Sequence, residues 1–302
     1  MRRFNIDFLG RRNYMFALSA VLLAISIGAL LVRGLTFGIE FSGGTEIDMV
    51  NTGAVTIDQV RTAFADTGVA DAGVQTFSGD TVGFIVKTEI QDPEEAQALA
   101  TTVASALKLP AASLQVTTIG PGWGRNVTDR ALLALALSFG AILLYVSLRF
   151  EYKMSVAAIA ALLHDVAITL GIYALIGEEV TPNTVAALLT ILGYSLYDTI
   201  VMFHRIKENS QHLAKRSFMA MANDSINEVL VRTVNTIVLS LLPVLVMLFF
   251  GGETLYDFAL ALSIGLLVSS YSSFGTATPI YVLWKETEPK FAALKKKYES
   301  GL

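Results

Sequence analysis

The chain has 302 residues, 53% of them hydrophobic and 16% charged, with no cysteine and a formal net charge of −4. This balance, with a mean hydropathy of +0.57, exceeds that of an ordinary soluble domain and predicts a membrane protein. The missing cysteine excludes disulfides, thiolate zinc sites and iron–sulfur clusters, and the small net charge informs only through its distribution.

Six apolar runs are long enough to cross a bilayer at about 20 residues per helix: residues 14–32, 131–148, 154–176, 184–203, 231–250 and 256–283. The first follows Arg2, Arg3, Arg11 and Arg12. Its apolar core is longer than that of a signal peptide and no Ala-x-Ala site follows, so a retained span is expected. Residues 35–125 come next and are rich in Asp and Glu. Residues 36–49 read as extended chain, with Gly43-Gly44 as a bend or bulge. Residues 57–66 read as an amphipathic helix entered from Thr56 or Asp58. Residues 74–77 and 82–88 read as strands across a Ser78-Gly79-Asp80 turn. Residues 93–107 read as a helix with Asp92 as N-cap and Pro93 at its first position, and residues 114–119 as a last strand. The order β-α-β-β-α-β is the ferredoxin-like arrangement of an α+β domain. Gly120-Pro121-Gly122-Trp123-Gly124 is expected to link it, as a hinge, to the second span.

Spans three to five hold the polar residues. On the third, Ala158, Ala161, Asp165 and Thr169 share one face, a small-and-polar stripe of the kind that lets membrane helices approach closely. On the fourth, Thr184, Ala187, Ile191, Tyr194 and Asp198 form a similar stripe. On the fifth, Arg232, Thr236 and Ser240 are four residues apart, and Pro243 is expected to bend the helix. Arg149 and Lys153, then Arg205, Lys207, Lys215 and Arg216, then Lys285, Lys290, Lys295, Lys296 and Lys297 occupy alternate connections. The intervening loops, residues 177–180 and 251–254, are acidic or neutral. Both termini are therefore expected in the cytoplasm. The Lys295-Lys296-Lys297 run reads as a topology and lipid-headgroup signal.

Asp198 carries the most information. A carboxylate in hydrocarbon is costly unless it faces protein, meets a cation or stays protonated, which makes it a functional-site hypothesis. The expectation is that Asp198, Asp165 and Arg232 meet inside the bundle, where Arg232 keeps its charge and Asp198 loads and releases a proton. The alternative is a static ion pair that fixes helix register; for Asp165 both readings stay open. His164 lies about 100° around the helix from Asp165 and is expected to be a hydrogen-bonded packing residue. His164, Asp165, Asp198 and His204 include zinc-type ligands, but no short ligand motif joins them, so no metal site is expected. The glycine clusters lack the Gly-Lys-Ser/Thr of a phosphate loop and do not open a dinucleotide fold. With no catalytic triad either, the chain is expected to be neither an enzyme nor a nucleic-acid binder, and to need no cofactor.

Four segments together resemble the SecD/SecF family of the bacterial Sec translocase. Phe37-Gly38-Ile39-Glu40-Phe41-Ser42-Gly43-Gly44-Thr45 is similar to its Gly-Ile-Asp-Phe-Thr/Ser-Gly-Gly segment. Leu163-His164-Asp165-Val166 is similar to its His-Asp-Val. Gly193-Tyr194-Ser195-Leu196-Tyr197-Asp198-Thr199-Ile200-Val201 is similar to its Gly-Tyr-Ser-Leu-Asn-Asp-Thr-Ile-Val. Arg232-Thr233-Val234-Asn235-Thr236 is similar to its Arg-Thr-x-Asn-Thr. The chain departs at Tyr197, where the family usually has Asn, at His204, where Asp is common, and more mildly at Glu40.

The resemblance implies membership of the resistance–nodulation–division superfamily and six transmembrane α-helices, with one α+β ferredoxin-like periplasmic domain between spans one and two. Residues 1–34 would be the cytoplasmic N-terminus and first span, 35–125 the periplasmic domain, 126–284 the five-helix region and 285–302 a basic cytoplasmic tail in the inner membrane. It further implies an accessory subunit that pairs with SecD, meets the SecYEG channel and further translocon subunits, and uses the proton-motive force on preprotein. Asp198, Arg232 and Asp165 would form the proton relay, with Tyr197, His204 and His164 as candidate modulators. The rival reading is a self-contained proton-coupled exporter of small molecules or lipids; typical members of that superfamily have about twice as many spans.

Overall fold

The computed structural model describes residues 5–51, 55–69, 72–78, 82–213 and 215–299. Arg2 and Arg3, and Gly79 and Asp80 of the expected turn, lie outside the described residues. The chain divides into two compact units, residues 37–134 and residues 1–36 with 135–302. In chain order the elements begin with α1 (Arg12–Val32), β1 (Thr36–Phe37), α2 (Ile39–Ser42), β2 (Gly44–Asn51), α3 (Ile57–Asp66), β3 (Gly73–Ser78), β4 (Val82–Thr88), α4 (Pro93–Ala106) and β5 (Leu114–Ile119).

In the unit of residues 37–134 the sheet order is β3-β4-β2-β5 with every neighbouring pair antiparallel. Ile47 on β2 faces Val86 on β4 and Val116 on β5. Their side of the sheet takes Val60 and Phe64 of α3 and Val103 of α4 into one buried core. The neighbouring register pair, Glu46 and Lys87, points the other way and closes a 3.3 Å ion pair. The helix starts are the expected ones. Thr56 and Gln59 form a reciprocal capping box, and the Asp92 carboxylate accepts the backbone N–H groups of Glu94 and Glu95. The stretch expected to be extended over residues 36–49 is instead interrupted by α2, just before the expected bend at Gly43-Gly44. Gly43 (φ +75°) ends that turn and Gly44 (φ +132°) begins β2; a Cβ on Gly44 would strike the Thr88 carbonyl. Glycine is required there on both counts.

The remaining elements are α5 (Pro121–Arg149), α6 (Tyr152–Ile176), β6 (Glu179–Val180), α7 (Pro182–Gln211), α8 (Phe218–Phe250), α9 (Gly252–Ser272), a π-helix (Ser273–Ala277), α10 (Thr278–Lys285) and α11 (Pro289–Glu299). Among the described residues, six helical stretches are long and apolar enough to cross a membrane. The segment read as a hinge is helical, since α5 starts at Pro121. Pro243 lies inside α8 without ending it. The helices outrun the apolar runs because a helix needs only helix-forming residues to continue, whereas hydropathy marks the lipid-facing part. Apolar side chains on the outside of α5 and α8, including Leu133, Leu137, Leu239, Val246 and Phe249, are exposed, as lipid contact demands.

The inner helices pack as α6 against α1, α7 and α9, and as α7 and α9 against α8. Close approach rests on small residues. A Cβ on Gly171 of α6 would collide with Ser26 of α1, and one on Gly265 of α9 with Ile191 of α7. At one end of the unit residues 6–9 and 286–295 are tied to α8. Asn223 accepts from the backbone N–H groups of Phe8 (2.9 Å) and Leu9 (3.1 Å) and donates to the Ile6 carbonyl. Asn227 accepts from the Ile6 N–H at 2.9 Å and also donates to the Ile6 carbonyl at 2.8 Å. Buried Glu286 accepts the Met219 N–H at the start of α8 and pairs with Lys295 of α11 at 2.7 Å, and Phe291 of α11 packs on Phe218. Glu288 pairs with Lys285 (3.0 Å) and Lys153 (3.1 Å). Burial opposes its charge, but the two ammonium groups outweigh it and hold the carboxyl below its usual 4.5.

Candidate functional site

α6, α7, α9 and the π-helix bring their polar residues together in the middle of the helical unit. Asp165 of α6 is fully buried. Its Oδ2 accepts hydroxyl hydrogen bonds from Ser195 of α7 (2.6 Å) and Ser272 of α9 (2.9 Å), and its Oδ1 lies 3.1 Å from His164 Nδ1. These three contacts offset the desolvation that an isolated buried carboxylate would suffer. The stripe of Ala158, Ala161, Asp165 and Thr169 is buried throughout, as its spacing predicts.

The end of α9 and the π-helix that follows it supply the hydroxyls. The wider turn of the π-helix rephases the helix, and Ser269, Ser272, Ser273 and Thr276 are all buried. Ser273 meets Thr199 of α7 at 3.2 Å. Thr276 meets Ser19 of α1 at 3.0 Å, and Ser19 in turn meets the Tyr271 hydroxyl at 3.1 Å. The Thr278 hydroxyl donates to the Ser273 carbonyl, holding the irregular turn.

Asp198 sits one helical turn beyond Ser195 and is 8% exposed, against 0% for Asp165. Among the described residues nothing hydrogen-bonds or ion-pairs with it, and Arg232 is the charge that acts on it. The arrangement therefore differs from the expected three-way meeting in the interior. Arg232 is exposed and donates from Nη2 to the Tyr197 hydroxyl at 2.5 Å, with its guanidinium carbon 5.7 Å from the centre of the Tyr197 ring. The guanidinium hydrogen bond thus goes to the phenol and not to the Asp198 carboxylate. Tyr194 and Ser240 bond hydroxyl to hydroxyl between α7 and α8. His204 is exposed, further along α7. No group of three or more His, Asp or Glu that could hold a metal ion occurs among the described residues.

Ser195 lies inside the segment of residues 193–201 and Ser272 in a serine-dense stretch, and neither is among the site residues the sequence predicts. The signal was there: Ser269, Ser270, Ser272 and Ser273 crowd one span, and such density in an apolar helix needs a polar partner.

Comparison with known proteins agrees with the helical arrangement and with the motifs that line it. The family described as "Protein export membrane protein SecD/SecF, C-terminal" matches residues 99–287, and the "SecD/SecF GG Motif" matches residues 28–49. Protein translocase subunit SecF of Streptomyces coelicolor is 37% identical over 299 residues, covering 96% of this chain and 80% of that protein. Its counterpart in Pseudomonas aeruginosa is 36% identical over 280 residues, covering 92% and 91%. The crystal structure of SecDF from Thermus thermophilus, a translocon-associated membrane protein, superposes with a TM-score of 0.85 at 37% identity over 94% of this chain and 39% of that one. A carboxylate-bearing helical unit of this fold, matched over nearly its whole length by translocase subunits, belongs to the SecD/SecF family of protein export membrane proteins.

Proposed function

We propose that the chain acts beside SecD and the SecYEG channel in the bacterial inner membrane, where it uses the proton-motive force to promote late, periplasmic-side translocation and release of preprotein. In this reading both termini are cytoplasmic, and the β-α-β-β-α-β unit is a ferredoxin-like domain on the periplasmic side. Asp198 takes up and releases the proton, Arg232 sets the charge balance around it, and Asp165 with its serines supports the polar path.

The observation that carries the reading is Asp198 itself. It lies within an apolar helix, is nearly buried, accepts no hydrogen bond among the described residues and is within reach of the Arg232 charge. Asp165 is locked by three polar contacts, whereas Asp198 is free to change its charge. The small exposure of Asp198 supplies the access that proton exchange needs. The whole-length likeness to a fused SecDF chain supports SecD as the partner. A gradient of ~150 mV supplies about 3.5 kcal/mol per proton, enough to bias two packings of a bundle by more than about a hundredfold.

The test is Asp198→Asn in cells and in inverted membrane vesicles. The expected outcome is loss of proton-gradient-dependent preprotein release, with the complex assembled at normal abundance. Normal late export by that variant would overturn the assignment. Reduced abundance without uncoupling would favour a scaffold, and gradient-driven efflux of a small molecule by the isolated chain would favour the exporter reading.

A further inference from the structure

We infer that His164 and Asp165 form a second proton-binding site, a buried imidazole–carboxylate dyad that holds one exchangeable proton inside the helical unit. This rests on the reading of Asp165 as part of a proton path and adds to it a residue that the sequence assigned to packing.

The geometry carries the inference. The two side chains are 3% and 0% exposed, and His164 Nδ1 lies 3.1 Å from Asp165 Oδ1. A packing histidine uses both ring nitrogens or buries its ring in apolar surroundings. Here Nε2 is buried and has no hydrogen-bond partner among the described residues, while Nδ1 is bound to an acid. The carboxylate is held by Ser195 and Ser272 on its other oxygen, so it stays in place to receive an imidazolium.

The surroundings are hydroxyls and an aromatic ring, with the Asp198 carboxylate a turn away along α7. α9 presents the Tyr271 ring, its centre 6.3 Å from that of the imidazole, with its hydroxyl donating to the Met15 carbonyl of α1. α1 presents Ser19 through that same hydroxyl. α7 presents Ser195 and, a turn further, Asp198. The π-helix presents Ser273 and Thr276, and Tyr281 of α10 sets its ring at an angle against Phe203 and Phe218. No Lys or Arg pairs with either member of the dyad among the described residues, so nothing else neutralises the carboxylate. One proton is moved and no bond other than N–H or O–H changes. One proton drawn from water converts a neutral imidazole beside an ionised Asp165 into an imidazolium paired with the carboxylate, and the same proton returns to water by the reverse step.

Only three histidines occur in the chain, His164, His204 and His212, which makes the test direct. Full-length protein with His204→Gln and His212→Gln, labelled with ¹⁵N-histidine and held in lipid nanodiscs, reports on His164 alone by NMR. The expected result is reversible conversion between neutral imidazole and imidazolium within about pH 5 to 9, with proton affinity reduced at least about tenfold by Asp165→Asn. Should Asp165→Asn not fold, Ser272→Ala serves instead: removing a donor from the carboxylate raises the proton affinity of the pair by about threefold or more. A merely structural His164 would move in neither variant. An imidazole that stays neutral, or stays charged, throughout and is indifferent to both substitutions overturns the inference. The readout is independent of export. A silent His164 with translocation abolished by Asp198→Asn sinks the dyad alone, and a titrating His164 with translocation untouched by Asp198→Asn sinks the proposed function alone.

Discussion

The hydrogen bond from Arg232 to Tyr197 separates a guanidinium from the carboxylate it would otherwise seek. A hydrogen bond to a charged group contributes about 1.5–3 kcal/mol when desolvated, and less here because Tyr197 is about half exposed. Tyr197→Phe keeps the ring face and removes only the hydroxyl. The freed guanidinium then competes for Asp198 and makes the pair more static. Translocation driven by the proton gradient is expected to slow by roughly threefold to tenfold while the assembled complex remains at wild-type abundance. Tyr197→Asn, which restores an acceptor, is expected to recover most of that rate. Vesicle translocation assays at fixed gradient distinguish the three proteins. Residue identity was the part most legible beforehand: Asp165, Asp198 and Arg232 announce themselves as charges in apolar runs. The pairing was not, because the exposure of Arg232 and its choice of phenol over carboxylate depend on which way two long side chains turn, and linear spacing does not encode that.

The helices meet where side chains are missing. Gly171→Val is expected to push α1 from α6 at the Ser26 contact and to cost about 1–3 kcal/mol by overpacking, seen as a lower thermal midpoint in detergent. Gly140→Ala on α5, where an added Cβ meets nothing within 4 Å, is the matched control and is expected to be neutral. The spans and the order of strands and helices between residues 44 and 119 follow from apolar length, alternation and capping residues such as Thr56 and Asp92. Some elements did not follow, α2 and the π-helix among them. α2 occupies a stretch rich in β-formers, and the glycines after it fit a bulge as well as a helix end. The π-helix at Ser273–Ala277 hides because one wide turn barely disturbs a hydrophobic pattern averaged over about 20 residues.

At the scale of the whole molecule, one end of the helical unit is laced by charges. Lys153 at the start of α6, Lys285 at the end of α10 and Glu288 before α11 form one network. Because the folded state holds Glu288 below its usual value, its stabilising share is complete above the unfolded value and is lost as pH falls through the folded one. The difference in thermal midpoint between the wild type and Glu288→Gln is therefore expected to be constant near neutrality and to shrink as the pH falls below the usual glutamate value of 4.5. The charge pattern read from sequence as a basic tail is thus partly internal, since Lys295 is spent on Glu286 rather than on solvent or lipid.

The clasp of Ile6 by Asn227 spans 221 positions in the chain. During synthesis the leading segment emerges long before the asparagines that will grip it, so α1 must enter the bilayer with its preceding residues still unfastened. The asparagines therefore fasten a segment whose helix is already in place, and they do so only once α8 arrives.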